Sequence, residues 1–239
     1  MPDLLGARRG AQEPLEDAPE HPRILERTVL HSGRVWDVVT ETFAYGDGSI
    51  TREVIDHPGA VAVLALDDAG RVLLIRQYRH PVRVREWEIP AGLLDQAGEA
   101  PLEAAQRELA EEADLAAGTW HLLSEFWTSP GGSDEGIRIY LARDVHALPA
   151  FARSDEEAHI ETRWVPLDDV VDGVLARRLL NPSLTIGVLA AAAARARDWA
   201  TLGAADEPWV RHPRVGEPPW TLPPDDPAAD RRGTAPTSA

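Results

Sequence analysis

Two apolar runs only four residues apart set the first limit on the fold. AVAVLAL (residues 60–66) and RVLLIRQYR (residues 71–79) flank Asp67-Asp68-Ala69-Gly70. Neither run keeps the apolar–polar alternation of a strand with one wet face, so both read as strands buried on two sides. The four residues between them have turn chemistry and predict a hairpin. Strands buried on both faces must be covered on both faces, which requires a layered domain.

The segments around this pair supply the layers. Residues 23–58 read as three or four short strands broken at Ser32-Gly33 and at Tyr45-Gly46-Asp47-Gly48. Such a small antiparallel sheet is unstable alone and must pack on the rest of the chain or on a second copy. Farther on, TWHLLSEFWTS, GIRIYLARDV and ETRWVPL read as strands and LDDVVDGVLARR has helical period. NPSLTIGVLAAAAARARDWA opens on Asn181 as a cap with Pro182 in the first turn, which predicts a second helix. The fold class expected is α+β, with mixed strands between helices and a small antiparallel sheet in front. Residues 1–22 and 203–239 mix Pro, Asp and Ala without period and read as disordered or loosely docked ends around a body at 59–202. Trp209 and Trp220 stand out in the second of these, since large aromatics in a Pro-rich segment can lie against the body.

Composition narrows the function. A formal charge of −16 and a pI near 4.8 argue against coating a duplex or a membrane surface, which needs Lys and Arg against phosphates. There is no cysteine, so disulfides and thiolate metal sites are excluded. No apolar signal core opens the chain and no run approaches the length of a spanning helix, so a cytoplasmic location is expected.

The segment AQRELAEEADL (residues 105–115) poses a physical problem. On a helix, Glu108, Glu111 and Glu112 share an arc of about a third of the circumference, beside an apolar stripe of Leu102, Ala105, Leu109 and Ala113. Like charges at such spacing cost a few tenths of a kcal/mol each. A solvated face tolerates that cost. A divalent cation removes it, because Mg²⁺ takes one or two carboxylates and fills its shell with water and substrate phosphates.

The approach to the helix favours the second reading. Gly92, Glu99, Arg107, Glu108, Leu109, Glu111, Glu112 and Leu115 fall in the order of Gly-x5-Glu-x7-Arg-Glu-U-x-Glu-Glu-x-Gly-U, where U is aliphatic. The chain here resembles the Nudix hydrolases. It departs twice: six residues separate Gly92 from Glu99, and Asp114 stands in place of glycine. The first falls in a loop that tolerates insertion. The second falls where a helix ends, and Asp enters the left-handed conformation more readily than most residues. TREV, HPGAVAVLAL, RQYRHPVRVREWEIPAGLLDQAGE and SPGGSDEGIRIYLA extend the resemblance, to bacterial ADP-ribose pyrophosphatases, over about residues 24–200.

The resemblance implies a Nudix α/β/α sandwich, a homodimer in which the small sheet at 23–58 is exchanged, and hydrolysis of ADP-ribose with Mg²⁺ or Mn²⁺. It implies that Glu108 and Glu112 hold the cations, with Glu111 assisting and the carbonyl of Ala91 completing the sphere. Arg107 then pairs with Glu99 or a neighbouring Glu and orients the others. The general base is expected in RSDEEAHIETRW, with Glu157 ahead of Glu156, although Asp155, Glu156 and Glu157 by composition make a solvated loop. Arg79 and Arg52 are the expected phosphate and ribose partners. Glu53 and Glu88 are candidate acceptors from adenine or ribose, and Glu88 can instead be structural between Trp87 and Ile89. Trp36, Tyr45 and Tyr78 are candidate stacking planes, with core packing the expected role of each. Ser133, Asp134 and Glu135 can line ribose or a partner subunit. His80 is not needed, since metal and Glu account for the chemistry.

Overall fold

The computed structural model describes residues 15–150, 160–210 and 212. Its first three strands, β1 (Ile24–Ser32), β2 (Asp37–Tyr45) and β3 (Gly48–Asp56), form an antiparallel sheet of their own. Tyr45 pairs with Gly48 around Gly46, whose φ of 54° suits a residue without Cβ. The body follows with β4 (Ala60–Ala65), β5 (Arg71–Arg79), β6 (Val84–Glu88), β7 (Ala91–Leu93) and α1 (Pro101–Ala113). Then come β8 (Leu115–Trp127), β9 (Gly136–Ala147), β10 (Glu161–Pro166), α2 (Leu167–Leu175), α3 (Pro182–Arg195) and β11 (Gly203–Ala204).

β4 is the centre of the core because every one of its residues is small or aliphatic and buried. It lies between β9, to which it is parallel, and β7, to which it is antiparallel, in a sheet ordered β11-β8-β9-β4-β7. Ala62 and Leu64 face Leu167, Leu184 and Val188 of α2 and α3. Val61, Val63 and Ala65 face Ala104, Ala105 and Leu109 of α1. The two-sided burial expected from AVAVLAL is therefore met by helices on opposite faces of the sheet, in an α+β sandwich.

The hairpin expected between the two apolar runs does not form as a ladder. The turn itself is present: the Asp67 carboxylate accepts from the Ala69 and Arg71 N–H groups at 3.0 and 2.8 Å, and Gly70 has φ +73°. Beyond the single bridge Leu66 to Val72 the strands part, and β5 joins a separate sheet ordered β10-β5-β6. Both edges of β4 are taken by β7 and β9, so β5 has no edge there to pair with.

Local chemistry sets the helix ends. Asn181 accepts from the Leu184 N–H at 3.0 Å to cap α3. At α1 the cap position is Ala100, and Glu103 takes over by accepting from its N–H at 3.0 Å. Asp114 closes α1 at φ 54°, ψ 38°, with its N–H donating to the Ala110 carbonyl.

Within the small sheet Arg27 of β1 ties the strands together, binding Glu41 of β2 at 3.0 Å and Asp56 of β3 at 2.6 Å. The end of β3 joins the sheet to the body: Ile55 bridges Ser133, its N–H donating to the Gly132 carbonyl at 2.9 Å and its carbonyl accepting from the Asp134 N–H at 3.3 Å. Leu25, Val29, Leu30, Trp36 and Tyr45 stay exposed on or beside the small sheet. Past residue 202, where composition alone starts a tail, the chain is still packed: β11 pairs with Leu122 and His121 of β8, and Trp209 is buried. Trp220 lies outside the described residues.

Candidate active site

The acidic residues are brought together by β7 and α1. β7 pairs with β4 so that Ala91 opposes Ala62 and Gly92 opposes Val61, and α1 lies on the same face. Sinking Ala104, Ala105 and Leu109 into that face also buries Glu108 and Glu112, which border the apolar stripe. Gly92 makes room for one of them. A Cβ on Gly92 would lie 1.9 Å from the Glu108 carboxyl carbon, a distance no real side chain shows.

Arg107 ties the cluster together. Its Nε and Nη2 donate to the two oxygens of Glu99 at 2.8 and 2.9 Å, and its Nη1 donates to Glu108 at 2.5 Å and Glu111 at 3.1 Å. The Glu99 bonds above all, then the charges of Glu108 and Glu111, hold the guanidinium firmly protonated. Glu112 accepts from the Ala91 N–H at 2.9 Å. Burial pushes its carboxyl up to about 8; the Glu108 and Glu88 charges add to this, and the Ala91 N–H and Arg79 oppose it. Negative charge at Glu112 is thus under-compensated by the protein alone.

Arg79 and Glu88 stand beside this group. Glu88 is 2% exposed and takes two bonds from Arg79, at 2.8 and 2.7 Å, while the Arg79 side chain remains 41% exposed. The buried carboxylate therefore aims a guanidinium whose outer edge is open, and Glu112 contributes to holding it charged. Arg52 and Glu53 lie on exposed β3, where Arg52 donates to the Thr51 carbonyl; neither enters the group built around Glu112. Asp155, Glu156 and Glu157 lie outside the described residues.

A match to the NUDIX domain model over residues 56–183 settles the relationship. The chain belongs to the Nudix family. It is 42% identical to an ADP-ribose pyrophosphatase of Mycobacterium tuberculosis over 67% of this chain and 78% of that one. It is 35% identical to an ADP-ribose pyrophosphatase of Bacillus subtilis over 66% of this chain and 86% of that one. A solved structure described as an ADP compounds hydrolase matches with a TM-score of 0.58 at 19% identity, covering 76% of this chain and 98% of that chain, which shows the shared fold. This chain is a Nudix hydrolase.

Nudix hydrolases need divalent metal ions. Among the described residues no three acidic or histidine side chains already converge on a point, because Arg107 and the Ala91 N–H engage the carboxylates of α1. The donor set still suits a hard cation: all donors are oxygen, two carboxylates sit side by side, and Glu112 is under-compensated. In this Nudix chain Trp36, Tyr45 and Tyr78 are exposed, not packed in the core as expected, since β1–β3 and the β5–β6 tip have no layer over them. Ser133, Asp134 and Glu135 brace the entry to β4. Asp134 accepts from the His57 N–H at 2.7 Å, and Glu135 accepts from the Thr128 hydroxyl at 2.7 Å. Sequence carries no signal for a contact between His57 and Asp134, which are 77 residues apart.

Proposed function

We propose that this Nudix hydrolase cleaves the pyrophosphate bond of ADP-ribose to AMP and ribose 5-phosphate. The observation that carries the chemistry is the adjacency of the buried pair Glu108 and Glu112 to the open edge of Arg79. Glu108 and Glu112 would hold Mg²⁺ or Mn²⁺, with Glu111 assisting and the Ala91 carbonyl adding a neutral oxygen. Bound there, the cation would supply charge neutralisation at the phosphates and polarisation of phosphorus. Arg107 and Glu99 keep the two carboxylates side by side, and Arg79, aimed by Glu88, takes a phosphate oxygen. Water forms the new P–O bond, the bridging P–O bond breaks, and the water proton passes to a carboxylate of the 151–159 segment, Glu157 before Glu156. ADP-ribose as the substrate is supported by the two relatives named above, both called ADP-ribose pyrophosphatases.

Product analysis with ADP-ribose, a panel of nucleoside diphosphate sugars and dinucleotides, each with and without Mg²⁺, tests this. Metal-dependent cleavage of ADP-ribose well ahead of the panel is the expected result. A faster panel member keeps the chemistry and moves the substrate; binding of ADP-ribose without cleavage of anything makes the chain a sensor.

We propose further that the chain is a homodimer joined through the β1–β3 sheet. Leu25, Val29, Leu30, Trp36 and Tyr45 are exposed in the single chain, a concentration of apolar surface that a partner copy would cover. In such a dimer Arg52 and Glu53 serve a pocket shared by two copies. Light scattering at micromolar concentration is expected to give twice the chain mass, and a monomer overturns this reading.

A further inference from the structure

The family match ends at residue 183, just inside α3; after α3, which packs on the opposite face, the chain reaches the β8 edge of the large sheet and packs on its α1 side. β11 adds to the edge of β8, and Ala205 packs into the cluster beneath α1. Arg138 on β9, itself 2% exposed, donates to the Glu207 carbonyl at 2.6 Å, pairs with Glu125 of β8, and lies 4.8 Å from the Trp209 ring centre. A buried guanidinium with those three partners is a built anchor.

The last described residue is His212, 3% exposed. Its ring stacks on Trp127 at 6.3 Å and leans on Trp209 at 4.5 Å. Two backbone positions are bare to admit it. A Cβ on Gly59 would lie 2.2 Å from His212 Nε2, and one on Gly136 would lie 3.1 Å from Cδ2. Gly59 is also the link to the active site. Its carbonyl accepts the Leu94 N–H at 3.0 Å, two residues past the Gly92 against which Glu108 packs. His212 thus packs on the residue that hydrogen-bonds the end of β7, the strand whose Gly92 faces Glu108.

We propose that residues 203–210 and His212 form a clasp that holds residues 92–94, at the end of β7, in register with α1, and that His212 is the positioning residue through which it acts. This rests on the acidic cluster being the reaction site. Among the described residues, the charged and titratable groups on the imidazole side include Arg138 from β9 with its partner Glu125 from β8, His57 ahead of β4, and Glu135 beside His57. Burial first, then Arg138 and His57, hold the imidazole down to about 4 against an ordinary 6.5. The unfolded or undocked state therefore binds the extra proton, so the clasp is fully set above pH 6.5 and loosens as pH falls toward 4, by up to about tenfold per pH unit.

Hydrogen exchange at the Leu94 amide tests the proposal independently of any substrate. In the full chain, His212→Ala at pH 7 is expected to speed exchange of Leu94 about tenfold or more, with the β4 amides unchanged. It should also lower kcat with little change in KM, since the clasp acts on β7 through Gly59 and not on the substrate. His212→Gln, whose amide extends to about the position of Nε2 and does not titrate, should keep Leu94 protected and remove the acid-dependent rise seen in the wild type after correction for intrinsic rates. Unchanged Leu94 exchange in His212→Ala overturns the clasp. Faster exchange with unchanged kcat overturns its coupling to catalysis. If the wild type cleaves nothing, the functional reading falls while the exchange result still decides the clasp.

Discussion

Glu112→Gln is expected to lower kcat by at least about a thousandfold without unfolding the protein. The amide has the shape of the carboxylate, and its oxygen can still accept from the Ala91 N–H, which now sits at 2.9 Å. What is lost is a negative oxygen beside Glu108, and a hard cation depends on charged oxygen donors. Stability should hold because the side chain is 6% exposed and a neutral amide is cheaper to bury than a carboxylate. Steady-state turnover at saturating metal, measured beside a thermal melt, separates the two effects. Near-normal turnover would remove Glu112 from the metal site; a large fall in Tm would make it a structural residue. Glu111→Gln is the control. Its side chain is 41% exposed and at the rim, so a smaller loss is expected.

Gly92→Ala should lose about a hundredfold in activity for a stability cost of about 2 kcal/mol or less. The added methyl collides with the end of the Glu108 side chain, at 1.9 Å from its carboxyl carbon and oxygen, and no backbone atom is among the nearest contacts. A long side chain can swing away from such a collision, so the sheet survives. The carboxylate that swings away leaves Glu112 and the Arg107 Nη1 at 2.5 Å, and the pair that would hold the cation is broken. Activity, metal affinity by calorimetry, and a melt read this together. Full activity in Gly92→Ala would show that the position of Glu108 does not matter to the reaction.

Much of this was legible in the chain. The fully apolar AVAVLAL run could only lie between two layers, because a strand without polar residues has no face to offer water. The motif from Gly92 to Leu115 identified the family through an order of residue types too specific for a solvated helix face. Asp114 at the end of α1 takes the left-handed conformation expected of a residue standing in for glycine. Other features were misread for physical reasons. The DDAG turn formed, but pairing is decided by which strand edges are free, and β7 and β9 come from far along the sequence to occupy those of β4. Trp36, Tyr45 and Tyr78 are candidate stacking planes for which core packing is the expected role, yet exposure depends on whether a layer covers them.

Arg79 and Glu88 show the same division. The resemblance implied both as substrate contacts; the structure couples them, with the carboxylate buried and the guanidinium half open. His212 had no sequence signal, since the residues that receive it, Gly59, Trp127 and Gly136, are scattered over three elements. By itself the sequence determined the layers, the acidic helix and the family, because periodicity and a contiguous motif are local properties of the chain. Only the tertiary structure decided which strands pair, which arginine faces outward, and what the C-terminal segment touches. Those depend on edges, faces and bare backbone positions that meet only after residues far apart in the chain have packed.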